Sequence, residues 1–241
     1  MTTFVLVQGA FEGGWYWKPV ATLLERQGHT VFRQSLTGLG ERSHLLSRSI
    51  DLETHIADVT SLIRYERLDG VTLVGHSYGG MVVTGVADRM AERIGALIYL
   101  DAALPESGQS MFDLILPARR EAMLAAAAAA GEGWTVPCPP VTSWGIEDAE
   151  QAAEMEALVG PHPLACFTQK LALAGNHLSI RRMAYVLASR YRPSPFERIA
   201  AWARATPGWE SHELPTHHFP MLSMPAEVCG ILVGPGSSPA P

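Results

Sequence analysis

The chain has 241 residues, 47% of them hydrophobic and 17% charged, which is enough apolar mass for one large core and excludes a chain disordered by composition. A formal net charge of −6 with no basic cluster argues against a nucleic-acid-binding surface. Cys138, Cys166 and Cys229 are too scattered for a disulfide framework or a CxxC metal motif. No apolar run nears 18 residues and no leader pattern precedes the first strand, so the expected home is the cytoplasm, away from membranes.

Residues 3–8 form a short apolar strand pattern that stops at Gly9. Residues 15–27 carry Trp17, Val20, Ala21, Leu23 and Leu24 at helical spacing and end at Gly28. A second strand follows at 30–34, then a glycine-rich loop at 36–42, then a helix over 51–68 with Leu52, Ile56, Val59, Leu62 and Ile63 on one face. The β-branched run at 71–74 leads into Gly75-His76-Ser77-Tyr78-Gly79, and residues 81–90 read as a helix. Another strand occupies 95–101.

The alternation breaks over 104–180, where an alanine-rich helix at 118–130, a proline-rich connector and helical patterns at 146–159 and 163–174 leave no evident strand. It resumes with a strand at 183–188, a helix at 195–205 and a strand at 209–214. A loop holding His217 and His218 then precedes a closing helix over 220–232. The pattern predicts an α/β fold, a mostly parallel sheet of about six strands with helices on both faces. Residues 1–103 and 181–233 form the expected core, 104–180 a helical lid, and 234–241 a disordered tail.

Chemistry collects at the carboxyl ends of such strands, where Gly9-Ala10, Ser77 and Asp101 all fall. Gly-x-Ser-x-Gly between a strand and a helix is the pattern of a tight turn that lifts a serine hydroxyl above the sheet. Ser77 is therefore the candidate nucleophile. His218 is the candidate base, with His217 its competitor. His76, inside the turn, points away from Ser77 and is structural; His29, His44, His55, His162, His177 and His212 carry no motif and read as surface or packing residues. Phe11, Trp15 and Trp17 are candidates for the substrate pocket. So are Met111, Phe112 and Trp134 from the lid, and Phe219 beside the base.

These pieces together resemble the α/β-hydrolase superfamily. They are most similar to small bacterial esterase-like hydrolases related to plant methyl-ester esterases and hydroxynitrile lyases. The resemblance is carried by residues 4–10 with 13–17, the loop 36–42, the segment 75–80, the segment 99–102 and the segment 218–222. It implies an oxyanion hole built from the backbone N–H groups of Ala10 and Tyr78. It also implies a triad in the chain order nucleophile, acid, base.

Gln8 stands where relatives carry a histidine that braces the oxyanion loop. Many relatives place the acid after the strand that here spans 183–188, but no carboxylate follows it before Glu197. Asp101, after the strand that other branches use, is the candidate acid. The alternatives are a buried Asp101 that caps the lid entrance or binds loop amides, Glu197 as the acid, and no acid at all. The lyase branch has a threonine and a lysine where this chain has Gly9 and Phe219, which argues against cyanohydrin cleavage.

The expectation is a serine hydrolase that cleaves an ester, thioester or lactone of an apolar small molecule through an acyl-enzyme on Ser77. The alternatives are a non-hydrolytic cyclase, decarboxylase or lyase on the same scaffold, and a ligand-binding module with a vestigial triad. No cofactor and no metal are expected. The expected partner is a small-molecule substrate, with no nucleic acid and no membrane; a homodimer is compatible with the sequence.

Overall fold

The computed structural model describes residues 1–234. β1 (Thr3–Val7), α1 (Lys18–Arg26), β2 (Thr30–Phe32), α2 (Leu52–Tyr65), β3 (Val71–His76), α3 (Gly79–Arg89) and β4 (Ile94–Leu100) follow one another as expected. After an insertion come β7 (Arg182–Ala188), α8 (Glu197–Ala205), β8 (Trp209–Leu214), α9 (Pro220–Ser223) and α10 (Pro225–Val233). The insertion contributes α4 (Met111–Leu114), α5 (Pro117–Ala130), β5 (Thr135–Val136), α6 (Ala149–Glu156), β6 (His162–Pro163) and α7 (Ala165–Thr168).

The main sheet has the order β2-β1-β3-β4-β7-β8, and every pairing in it is parallel. Its central strands are continuous apolar runs because both faces are covered. The crossovers send α1 to one face, where α10 joins it, and α2 and α3 pack together on the other, as the right-handed rule for parallel strands requires. α2 is anchored at its start by Asp51, whose carboxylate accepts the Thr54 N–H at 2.9 Å. It buries Leu52, Ile56, Val59 and Ile63, each contributing about 1.5–3 kcal/mol of hydrophobic stabilisation. The chain leaves β1 toward β2 but returns to β3 on the other side, so a crevice opens between the carboxyl ends of β1 and β3. That crevice holds the site.

Three expectations are corrected. The insertion does contain strand: β5 and β6 pair antiparallel, two residues each, too short to show any periodicity in sequence. The helix expected over 163–174 is only one turn long. Beyond Thr168 the chain is captured by tertiary partners: Leu171 N–H donates to the Gln109 carbonyl, and the N–H groups of Ala174 and Gly175 donate to the Asp88 carboxylate. The closing helix breaks into α9 and α10 because Pro225 disfavours helical angles at Met224 (φ −136°, ψ 50°). The tail expected to be disordered lies, apart from Gly234, outside the described residues. Among the described residues no helix is long and apolar enough to cross a membrane.

Candidate active site

β3 is buried along its whole length and ends at His76; the chain then turns through Ser77 at φ +52°, and α3 begins at Gly79. The turn is tight because neither flanking glycine has room for a side chain. A Cβ on Gly75 would lie 2.7 Å from the Gly79 carbonyl oxygen, and one on Gly79 2.6 Å from the Gln8 carbonyl oxygen. Glycine at both positions lets β1, β3 and α3 close on one point. Ser77 projects from it into a cavity of about 40 Å³.

His218 Nε2 accepts the Ser77 hydroxyl at 2.9 Å, and its Nδ1–H donates to Asp101 Oδ2 at 2.6 Å. The other oxygen of Asp101 accepts the Ala188 N–H at 3.1 Å, so the carboxylate bridges the ends of β4 and β7 and faces the imidazole. Asp101 itself has φ +43°, a turn that aims its side chain back over the sheet. Burial raises its carboxyl to about 7, against the pull of the Ala188 N–H and the His76 charge. His218 is held well below the ordinary imidazole range by burial and by neighbouring His76, so its resting form is the neutral base. A neutral imidazole oriented in this way can take a proton from the serine hydroxyl. Glu197 instead pairs with Arg192 near the surface, and His217 Nδ1 accepts the Phe219 N–H.

The N–H groups of Ala10 and Tyr78 have no acceptor among the described residues, and both residues line the cavity with Ser77. A developing oxyanion beside Ser77 would be met by two unused donors.

Gln8, expected to affect the oxyanion loop, is fully buried, and its side-chain amide has no hydrogen-bond partner among the described residues. The loop is held by Glu12, which no motif pointed to, together with His76, expected to be structural. Glu12 is buried, and its Oε2 accepts the Gly9 N–H at 3.1 Å. The same oxygen lies 3.3 Å from His76 Nδ1, while His76 Nε2 donates to the His218 carbonyl at 2.8 Å. Both ring nitrogens of His76 face acceptors, an arrangement that favours the protonated ring beside the Glu12 carboxyl. Burial opposes that charge, but Glu12 and the His218 carbonyl outweigh it and raise the His76 pKa.

One ion pair thus ties the oxyanion loop, the end of β3 and the loop of His218. Glu12→Gln is expected to lower unfolding free energy by roughly 3 kcal/mol, because it strands a buried charge. The sign follows from the raised pKa. The stabilisation is complete below about pH 6.5, the unfolded value, and is lost as pH rises through the higher folded one. Urea titrations at pH 6 and pH 9 check it; an equal loss at both pH values would remove the charged pair.

A second bracket comes from the insertion. Phe11 has φ +71°; its N–H donates to His162 Nδ1 at 3.3 Å, and its carbonyl accepts the Gly160 N–H at 3.1 Å. His162 packs against Tyr78 and His55, and His55 bonds the Tyr78 hydroxyl and the Thr37 carbonyl, both at 3.0 Å. His55 and His162, expected as surface or packing residues, are fully buried packing residues against Tyr78 and Phe11. With Cys166 they could form a metal-ligating trio, but the lone pair of His162 Nδ1 already accepts the Phe11 N–H and His55 Nδ1 faces the Tyr78 hydroxyl.

Of the aromatic and Met residues expected in the pocket, Phe11 and Met111 line the cavity. Trp17 and Phe219 are fully buried in the packed layer behind it, and Phe112 stacks on Phe167, which does line it. Trp15 lies on Tyr16, and Trp134 meets Arg48 at the rim of the insertion. Tyr191, not anticipated, covers His218 at 4.6 Å between ring centroids. A larger groove of about 620 Å³, edged by Leu178, Trp202 and Trp209, includes none of the expected site residues.

Residues 4–231 match the profile described as the Alpha/beta hydrolase family. The carbendazim hydrolyzing esterase of Nocardioides sp. (strain SG-4G) is 40% identical over 244 residues, covering 98% of this chain and 100% of the relative. Esterase PIR7B of Oryza sativa subsp. japonica is 26% identical, covering 95% of this chain and 94% of the relative. Among solved structures, an extracellular alpha/beta-hydrolase from a Paenibacillus species matches with a TM-score of 0.86 at 22% identity, covering 99% of this chain and 100% of that one. At that identity the likeness speaks for the fold.

Proposed function

The chain belongs to the Alpha/beta hydrolase family, and from that premise we propose that it is a serine hydrolase of the carboxylic-ester type, with Ser77, His218 and Asp101 as its catalytic triad. The observation that carries this reading is the line of contacts from Ser77 Oγ through His218 to Asp101 Oδ2, at 2.9 and 2.6 Å. His218 Nε2 takes the hydroxyl proton as Oγ attacks the substrate carbonyl. The carbonyl oxygen gains its charge against the N–H groups of Ala10 and Tyr78. His218 returns the proton to the departing alkoxide, and the acyl group stays on Ser77 until a water, deprotonated by His218, releases it. The fixed Asp101 carboxylate keeps the His218 proton on Nδ1 and opposes the charge of the transient imidazolium.

The esterase relative at 40% identity supports hydrolysis over the cyclase, decarboxylase and lyase readings. Residues 104–180 serve as the lid. With only about 40 Å³ open beside Ser77, far less than the few hundred Å³ of an ordinary ligand pocket, α4 and α5 must shift to admit substrate. The cytoplasm remains the proposed setting, supported by three free thiols.

The test is an ester panel combined with a fluorophosphonate probe. Turnover of at least one apolar ester, together with a mass adduct mapped to Ser77, is expected. No turnover and no adduct would overturn the reading.

A further inference from the structure

Arg119, on α5, lines the cavity that holds Ser77 and His218. The other half-buried arginines all meet a carboxylate or a backbone carbonyl. Arg42 reaches Asp58 and the Ser35 carbonyl, Arg182 forks onto Glu210, and Arg33 reaches the Gly14 carbonyl. Arg119 meets neither a carboxylate nor a carbonyl among the described residues. Its Nη1 touches the Tyr191 hydroxyl, and its guanidinium lies 5.7 Å from the Tyr191 ring and 6.0 Å from that of Trp144. A guanidinium does not shed its charge, and withdrawing one from water without an anion is costly. The contacts present hold its position but leave that charge uncompensated.

The rest of the wall sharpens what is missing. Phe11, Met111, Ile115, Met123, Trp144 and Phe167 are apolar. The one carboxylate on the wall, Glu12, is engaged by Gly9 and His76 on the oxyanion-loop side. Glu12 is thus balanced by its own partners, and the guanidinium on α5 is the one charge on the wall left for a substrate anion to meet. The Arg119 charge also works against protonation of His218, and a bound anion would relieve that.

We propose that Arg119 determines specificity by pairing with a carboxylate on the substrate, so that the preferred substrate is a half-ester. One carboxyl group is esterified and presented to Ser77, and a second, ionised one is held by the guanidinium fork across an apolar spacer. This proposal rests on the hydrolase reading above and names its substrate class.

The experiment measures kcat/KM for monomethyl esters of linear C5–C8 diacids and of terephthalic acid. Each is set against the methyl ester in which a methyl group replaces the free carboxylate. The best half-ester is expected to exceed its neutral match by about tenfold or more, the scale of a charged hydrogen-bonded contact. Arg119→Met should bring that ratio to one or below, and Arg119→Lys should retain part of it. The wild-type preference is decisive even if Arg119→Met fails to fold. A wild type that favours the neutral ester throughout, or an Arg119→Met enzyme that loses both substrates equally, overturns the proposal and leaves Arg119 as a brace for Tyr191. Hydrolysis of neutral esters without the preference would leave the hydrolase reading intact. Failure on every ester would remove both.

Discussion

Asp101→Asn is expected to lower kcat/KM for any ester substrate by about 10⁴-fold, with little change in fold. An asparagine fills the same space and can still accept the Ala188 N–H. Toward His218, however, it either presents an amide N–H or offers a much weaker acceptor. The proton then settles on Nε2, where it faces Ser77 and blocks deprotonation of the hydroxyl. Steady-state kinetics with near-UV circular dichroism as a folding control checks this. The same assay on Glu197→Gln should stay within about twofold of wild type, because Glu197 is paired with Arg192 and makes no contact with His218. If Asp101→Asn keeps activity within about twofold of wild type, Asp101 is not the triad acid, and the buried contact to Ala188 is its main role.

Ser77→Ala carries the largest expected loss, about 10⁵- to 10⁶-fold in kcat. The substitution removes one oxygen and leaves the strained turn, the two unused N–H donors and the His218–Asp101 pair in place. Fluorophosphonate labelling should disappear, while whatever rate over water survives should come from the oxyanion donors and binding alone. A Ser77→Ala protein that hydrolyses esters like the wild type would mean that another group attacks the carbonyl, and the mechanism would fall.

Ser77 and His218 were legible as candidates because the pattern that marks them is local, one in a glycine-flanked turn and the other in a loop after the last strand. The six-stranded sheet was legible for a similar reason, since strands and helices alternate at even spacing. Asp101 could be reached from its place at the carboxyl end of its strand together with the lack of a carboxylate directly after β7. The residues that support the triad were not legible. Glu12 and His76 are 64 positions apart, and Phe11 and His162 are 151 apart, and no motif links either pair. Aromatic content misled in the other direction. Trp17 and Phe219 look like pocket residues in sequence, but the face on which a side chain is buried depends on packing that composition does not encode.

The double hold of Gly160 and His162 on Phe11 has a consequence for how such an enzyme could diversify. Substrate range in a lidded hydrolase would ordinarily be retuned by exchanging the lid wholesale. On the proposed reading, a transplanted 104–180 segment would arrive without the two contacts that hold Phe11 next to Ala10, so a new specificity would come at a loss of rate. Changes confined to α4 and α5 avoid this cost, because those helices contribute Met111, Arg119 and Met123 to the cavity wall and make neither of the two hydrogen bonds to Phe11. In a recombination library, the viable crossover point should therefore fall between α5 and Gly160.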